Sequence, residues 1–599
     1  MLKDCLEIFE PILKQEGDKL IIDNHIPADG TYVVVDICDD KFEVRESFDI
    51  KFDKKKKEIE GKSNLYYEYV RMYDYYSKLI EMNKPIDLKK IIHSNNYLSF
   101  WVKKDSIQNG KLTDDIIDNY YDILKDPLKK YQAKPKARGI YKEVEKKLGK
   151  VDSELLERIR FWIKKNIFNL DIDMKNKDYL KIFFQFKDDN DKTIALYQKE
   201  SERYLVPNIY NKNDYNEMIN EEVYGLPSDN MGLNAKKPYL VTNTRKIKVP
   251  YLINNDEVLL QKKFFDYLSS CATKQKFNIY INTDKDEEIT KHNIIAKKNG
   301  ELLEDNDFRG IYLRVQKGIS TDIIDYDIIS GYRYNLKKKF DYNMYIDVDL
   351  KLSKGTEIDY YSTYDNKSDI QNLLNEVYFS KFLKGNYFNE PKEIKLNDNV
   401  VKRNLLTCRN SIFNWLYKGY FNDVEAVLNR ASLEITKNSV VNGYNVLAIH
   451  EFNLRWSFIE YFKGEGKMAD FLNEVKTNLR EKINCKDNKI IESDMEYYFA
   501  IGQEVYYLLS LSKSNNKNQS LINPFLNAKG DAILKEKLRK LFTKYNYAKG
   551  LRHDRSSNLY SMILGYRPEG KVDQDMIIAG FLNSNLIYEK KEENEQGDN

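Results

Sequence analysis

The spacing of apolar residues changes along this chain from strand-like to helical and back, and finally to helical alone. After a short helix-like opening, 30–36 (GTYVVVD) is a β-branched run bounded by Gly and Asp, and 42–52 alternates apolar with polar positions. Both predict strands, with the charged run 54–57 and Glu58 as a hairpin tip. Helical spacing takes over at 65–80 and 153–168. Between them KKYQAKPKARG (129–139) carries five basic residues, and its Pro135 and Gly139 argue against a continuous helix, so a loop is expected. From 179 to 349 strands and loops alternate, with YLKIFFQF, GIYLRVQKG and MYIDVDL as strands and LLQKKFFDYL (259–268) as a helix. Beyond 397 only helical periodicity persists, at 405–420, 446–462, 468–480, 495–511, 532–545 and 575–586. Ser493 and Glu496 have the spacing of a capping box, and Tyr498, Ile501, Val505 and Leu508 behind them share one face.

This pattern predicts an α+β protein, a mixed α/β N-terminal body followed by an all-helical C-terminal bundle. The chain of 599 residues is too long for one core, and three regions are expected: 1–175 α/β, 176–400 mixed β/α, and 401–590 helical, with a polar, disordered tail at 590–599. The start, MLKDCLEIFEP, is charged from its third residue, and no apolar run approaches the roughly 20 residues of a membrane helix. The expected location is cytoplasmic. The five cysteines are scattered without a CxxC pair, which suits a reducing compartment.

Charge changes the picture locally. The net charge is only +3, so no global field gathers a polyanion and any such binding must use patches. One stretch, 230–255, holds no acid although 94 of the 599 residues are Asp or Glu. Within it lie Lys236, Lys237, Arg245, Lys246 and Lys248, expected on phosphate, and Asn234, whose amide both donates and accepts as a base-edge or sugar contact requires. Lys129, Lys130 and Arg138 of the earlier basic stretch are candidates of the same kind. So are Lys537, Arg539 and Lys540, in a segment (529–555) with nine basic residues against three acids.

Candidate catalytic chemistry is thin. There are five histidines, and His553-Asp554 is an HD dipeptide without companion ligands in metal spacing. Asp347 and Asp349 would share one face of a strand, as a two-metal pair does, but such i, i+2 pairs are common in an acidic chain and read as a solvated strand face. Asp36, Asp39 and Asp40 read likewise. Neither a phosphate loop nor a nucleophile elbow occurs, so no catalytic residue, metal or cofactor is expected. A metal-dependent nuclease or an HD-type phosphohydrolase is the alternative reading.

YLVPNIYNKNDYN (204–216), GLNAKKPYL (232–240), KVPYL (248–252) and FFDYL (264–268) recur in that order with MEYYFAIGQEVYYLLS (495–510), NPFLNAK (523–529), LYSMILGYRPEG (559–570) and IIAGFL (577–582). Together they resemble the large subunit of the type I-B CRISPR surveillance complex (Cascade), the Csh-type family. The resemblance implies a non-enzymatic subunit beside the 5′ end of the guide RNA. Such a subunit recognises the protospacer-adjacent motif (PAM) in double-stranded target DNA, starts strand opening and recruits the helicase-nuclease. Its other implied partners are the backbone, handle-binding and guide-processing subunits and the small subunit, and no membrane. Many relatives carry paired CxxC motifs just before the YLVPNIYN segment; here 179–204 has no cysteine, so zinc is not expected.

In that family the small subunit arises from an internal start within the large-subunit gene. Met468 follows Gly464-Glu465-Gly466-Lys467, whose codons are necessarily purine-rich, and a start there gives a product of 132 residues that carries the 529–555 basic stretch.

Overall fold

The computed structural model describes the chain except residues 40, 54–57, 133, 175, 212, 214–215, 221, 229–251, 285–287, 319–320, 349–359, 465–467, 486–488, 513–518, 546–552 and 590–599. It divides into two compact units, Met1–Lys298 with Gly310–Ile328, and Asn299–Arg309 with Ile329–Asn599. The architecture is α+β, with the sheets in the N-terminal half and helices in the C-terminal part. The boundary expected at 175/176 falls inside the first unit, because the strand that follows it completes the first sheet.

That sheet has the order β3-β2-β1-β5-β4, from β1 (Gly30–Ile37), β2 (Phe42–Asp53), β3 (Glu58–Glu60), β4 (Ser99–Lys103) and β5 (Tyr179–Phe186). β1 is buried along its whole length, as its unbroken β-branched run requires, and pairs in parallel with β5. Asp36, near the end of β1, is not on a solvated face: it is buried and accepts a hydrogen bond from Gln185 Nε2 at 2.8 Å. A second sheet, of order β11-β10-β8-β9, takes in β8 (Lys276–Asn282), β9 (Ile294–Lys298), β10 (Phe308–Lys317) and β11 (Thr321–Tyr332). Helices α1 (Leu2–Glu16) and α5 (Asn255–Thr273) cover it, joined through Phe9, Phe264 and Leu268 to Ile279 and Leu313.

Helix α2 (Tyr67–Ser77) carries Asp74 against β5, where Lys181 stands among the apolar residues Leu180, Ile182, Phe183 and Phe184. Both are buried, and the Asp74 carboxylate is paired with Lys181 Nζ and with His25 Nε2 at 2.7 Å. The ammonium also stands 3.8 Å from the centroid of the Trp101 ring. Burial by itself would raise the Asp74 pKa; the Lys181 charge and the His25 hydrogen bond prevail and hold it at about 2.

In the second unit, α6 (Val424–Val441), α7 (Asn445–Lys463), α8 (Met468–Asn484), α9 (Asp494–Ser510), α10 (Asp531–Tyr545) and α11 (Gln574–Leu582) form the bundle. The four residues expected on one face of α9 are buried, together with most of its other faces, so α9 is the central helix. It crosses α11 closely: a Cβ on Gly502 would meet the Ile577 carbonyl oxygen at 2.2 Å, and one on Gly580 the Phe499 carbonyl oxygen at 2.1 Å. Half of the expected capping box forms. Ser493 Oγ accepts from the Glu496 amide at 3.2 Å, but the Glu496 carboxylate accepts from the Glu492 amide instead, at 2.9 Å, and pairs with Lys482. MYIDVDL is not a strand as far as it is described: 342–348 is irregular, and the nearby strand is β12 (Asn335–Asp341), which pairs with β13 (Thr363–Asn366).

Asp74 titrates below its unfolded value, so its contribution is complete above about pH 4 and is lost as pH falls toward 2, roughly 2 kcal/mol in all. Asp74→Asn leaves Lys181 buried without its counter-charge, and urea denaturation at pH 7 is expected to show a loss of about 3–5 kcal/mol. The variant's stability should also fall less than the wild type's between pH 4 and 3. Equal stability at pH 7 and equal acid sensitivity would contradict this role.

Candidate nucleic-acid interface

The basic stretch 129–139 is helical at 129–131 and 135–139 instead of forming the expected loop. Pro127 opens a 3-10 turn, Pro127–Tyr131, and Pro135 is the first residue of α3 (Pro135–Leu148), where its missing N–H is no loss. Gly139 is tolerated inside the helix at a cost of about 1 kcal/mol relative to Ala, and no atom lies within 4 Å of where its Cβ would be. Ala137, Ile140, Tyr141 and Val144 point inward at helical spacing. The opposite face is basic: Lys129 on the turn, then Lys134, Lys136, Arg138 and Lys142, all exposed.

No Asp or Glu occurs from 127 to 142, and among the described residues Lys129, Lys134, Arg138 and Lys142 have no acidic partner. Lys136 donates to the Asn216 carbonyl at 2.7 Å. Further along, the surface returns to paired charges, Lys146 with Glu143 at 2.7 Å and Lys147 with Glu202 at 3.2 Å.

Lys130 faces the other way and leaves the set of candidate phosphate contacts. Its Nζ is buried without a hydrogen-bond partner, 5.8 and 5.3 Å from the ring centroids of Tyr131 and Tyr204. Burial, and secondarily the charges of Lys134 and Lys84, bring its pKa down to about 7. On a helical turn one lysine of an adjacent pair points outward and the next inward, which a loop reading does not anticipate.

α3 packs on α4 (Asn190–Asn208) and on an apolar cluster of Ile140, Val144, Val206, Ile209, Tyr210, Val223, Ile253 and Val258. This cluster closes a neck from which 229–251 leaves. Gly225 and Ile253 exchange backbone hydrogen bonds of 2.9 and 3.0 Å, and the Asn211 amide donates to the Leu226 carbonyl at 2.8 Å. Tyr210 Oη donates to Asn255 Oδ1 at 2.8 Å. Lys84 Nζ donates to the Asn208 and Tyr210 carbonyls at 2.6 and 2.7 Å. A Cβ on Gly225 would lie 2.4 Å from the Tyr210 ring, so only glycine fits there.

The YLVPNIYN words thus build the neck. Asn234, Lys236, Lys237, Arg245, Lys246 and Lys248 lie outside the described residues, and the structure fixes only where their segment leaves and re-enters, next to α3. Lys84, Lys134, Lys136 and Lys142 are additions that the sequence reading missed. Reading Pro135 as a helix start would have exposed the 137/140/141/144 periodicity and the basic face opposite it.

The other candidates lie on other elements. On α10, Lys540 is paired with Glu536 at 2.5 Å, whereas Arg539 is exposed and Lys537 half-buried, neither with an acidic partner among the described residues. Asp347 is exposed on irregular chain and Asp349 lies outside the described residues, so no strand face joins them. Asp554 is exposed in the first turn of the helix His553–Gly565. His450 is buried, its Nδ1 2.7 Å from the Tyr361 hydroxyl, and burial lowers its pKa to about 4. Among the described residues no helix is long and apolar enough to cross a membrane. No protein-family model, curated protein or solved structure matches the chain.

Lys84→Met removes the donor to two carbonyls at the neck, at a cost of about 1–3 kcal/mol. Native-state hydrogen exchange at the amides of Gly225 and Ile253 is expected to accelerate about tenfold or more. Unchanged exchange would show that Lys84 does not hold the neck.

Proposed function

We propose that this chain is the non-catalytic large subunit of a type I-B RNA-guided CRISPR surveillance complex, and that the outer face of α3 with the acid-free segment 229–251 grips the phosphates of target duplex DNA. The observation that carries the reading is the placement of Lys129, Lys134, Arg138 and Lys142, exposed and without acidic partners among the described residues, beside the neck of the acid-free segment. The resemblance of the ordered words supplies the kind of complex; the unpaired cations supply the chemistry.

Opening a duplex under an RNA guide is nearly balanced, because each DNA pair lost is replaced by an RNA–DNA pair. A subunit that favours the opened start therefore needs no nucleotide hydrolysis. It needs cations that displace condensed counterions, and a few amides such as that of Asn234 to read base edges at the PAM. Guide RNA, the other Cascade subunits and the helicase-nuclease are the partners this reading assigns.

The bundle from Met468 has a second assignment under the same proposal, as a separately translated small subunit whose Lys537 and Arg539 track single-stranded DNA. α7 ends at Gly464 in a left-handed cap, and α8 begins at Met468. In the full chain, Arg455 on α7 forms a bidentate pair with Asp575 on α11, at 2.8 and 2.9 Å, which the shorter product would lack.

Replacing Lys129, Lys134, Arg138 and Lys142 together by Gln is expected to reduce the salt slope of PAM-duplex capture by the guide-loaded assembly, by up to about 0.9 per lost phosphate contact. An unchanged slope would remove α3 from the interface. For the internal start, a C-terminally tagged gene should yield a second, 132-residue product that disappears when the codons of Gly464–Gly466 are silently recoded. A single full-length band before recoding would dismiss it.

A further inference from the structure

A polar recess of about 180 Å³ opens in the first unit between the residues after α1, the end of α2, the last turns of α5 and the end of β10. Its walls carry two lysines, Lys78 and Lys317, with the hydroxyls of Ser269 and Thr273 and the side chain of Asn24. The recess has room for several waters, each of which takes about 30 Å³ in the liquid. Thr273 Oγ1 is fixed by donating to the Ser269 carbonyl at 2.8 Å, and it accepts from Lys317 Nζ, which holds that ammonium at the wall.

The one carboxylate in the lining, Asp266, is already engaged. It accepts from Lys262 Nζ at 2.5 Å and from the Tyr75 hydroxyl at 3.1 Å, and stands 3.9 Å from Lys78 Nζ. His25, also in the lining, is kept neutral by burial and places its Nε2 against Asp74. Two ammonium groups therefore face a recess whose one acid among the described residues is held more closely by Lys262 than by Lys78. Lys317 registers this: burial first and the Lys78 charge second lower its pKa, a cost that an anion between the two lysines would relieve.

A larger cleft of about 430 Å³ adjoins the recess and shares Tyr75, Lys78 and Asp266 with it. Its other walls include Leu13, Leu79, Leu205 and Leu259, which suit the body of an organic ligand.

We propose that the recess is a binding site for a phosphate group, held by the ammonium groups of Lys78 and Lys317 and the Ser269 hydroxyl, with the adjoining cleft available to the organic body of a phosphate monoester. The site is distinct from the α3 face and does not depend on the nucleic-acid reading.

The test uses the full-length chain, with inorganic phosphate and AMP as probes in titration calorimetry. The wild type should bind at least one of them. Tighter binding of AMP assigns the site to a monoester, and binding of phosphate alone assigns it to the free ion. Lys317→Gln and Lys78→Gln should each weaken binding at least tenfold, whereas Lys125→Gln, which lines neither the recess nor the cleft, should match the wild type. Circular dichroism checks that each variant is folded, and Lys78, a partly exposed side chain, keeps the test decisive if Lys317→Gln is not. Absence of binding to both probes by the wild type, or wild-type affinity in the folded Lys78→Gln variant, would overturn the assignment. The salt slope for duplex DNA should be unchanged in Lys78→Gln, so failure here leaves the function proposed above standing on its own test.

Discussion

A single ammonium, Lys84 Nζ, donates to the two carbonyls at which α4 stops being a helix and the chain turns into the neck. Without it Asn208 and Tyr210 would present buried acceptors with no donor, a penalty that would favour the neck opening. With it, the buried Tyr210 ring and the contact at Gly225 place the two ends of a segment rich in Lys and Arg against the apolar side of α3. The described flanks of the acid-free segment are thereby packed against α3, although more than seventy residues separate them in the chain.

Several of the charges of this protein are spent on one another. Arg203 is paired with Glu200 on α4 and donates to the Gly149 carbonyl just after α3; Asp74, Lys181 and His25 are locked together; Arg455 is clamped by Asp575. Against this background a net charge of +3 says little, and the informative quantity is where cations lack partners. Exposed pairs such as Lys540 with Glu536 are worth at most about 1 kcal/mol and attract no polyanion. Arg138 and Lys142, exposed on α3 without an acidic partner among the described residues, are held on a regular backbone, so under the proposed reading only their side chains would need ordering.

Much of the fold was legible in the sequence because its strongest signals are local. The run GTYVVVD gives a fully buried strand, YLKIFFQF its parallel neighbour, and the 3–4 spacing after Ser493 the central bundle helix. The errors also have local causes. Pro135 and Gly139 were read as helix breakers, but proline costs nothing at the first helical position and one exposed glycine costs little. The alternation in MYIDVDL suggested a strand, yet Ile346 is buried in the helical core and its amide donates to Asn453 Oδ1 at 3.0 Å, a long-range contact with no sequence signature. The candidate interface was legible only as a loss of acids. The inward turn of Lys130 and the neck built by YLVPNIYN depend on tertiary packing.

Lysine footprinting of the guide-loaded assembly by acetylation and mass spectrometry, with and without PAM-containing duplex, tests the central claim most directly. The account predicts that Lys129, Lys134 and Lys142 label readily and become protected when duplex is bound, while the buried Lys130 labels poorly in both states. Equal labelling of those three lysines with and without saturating duplex would contradict it.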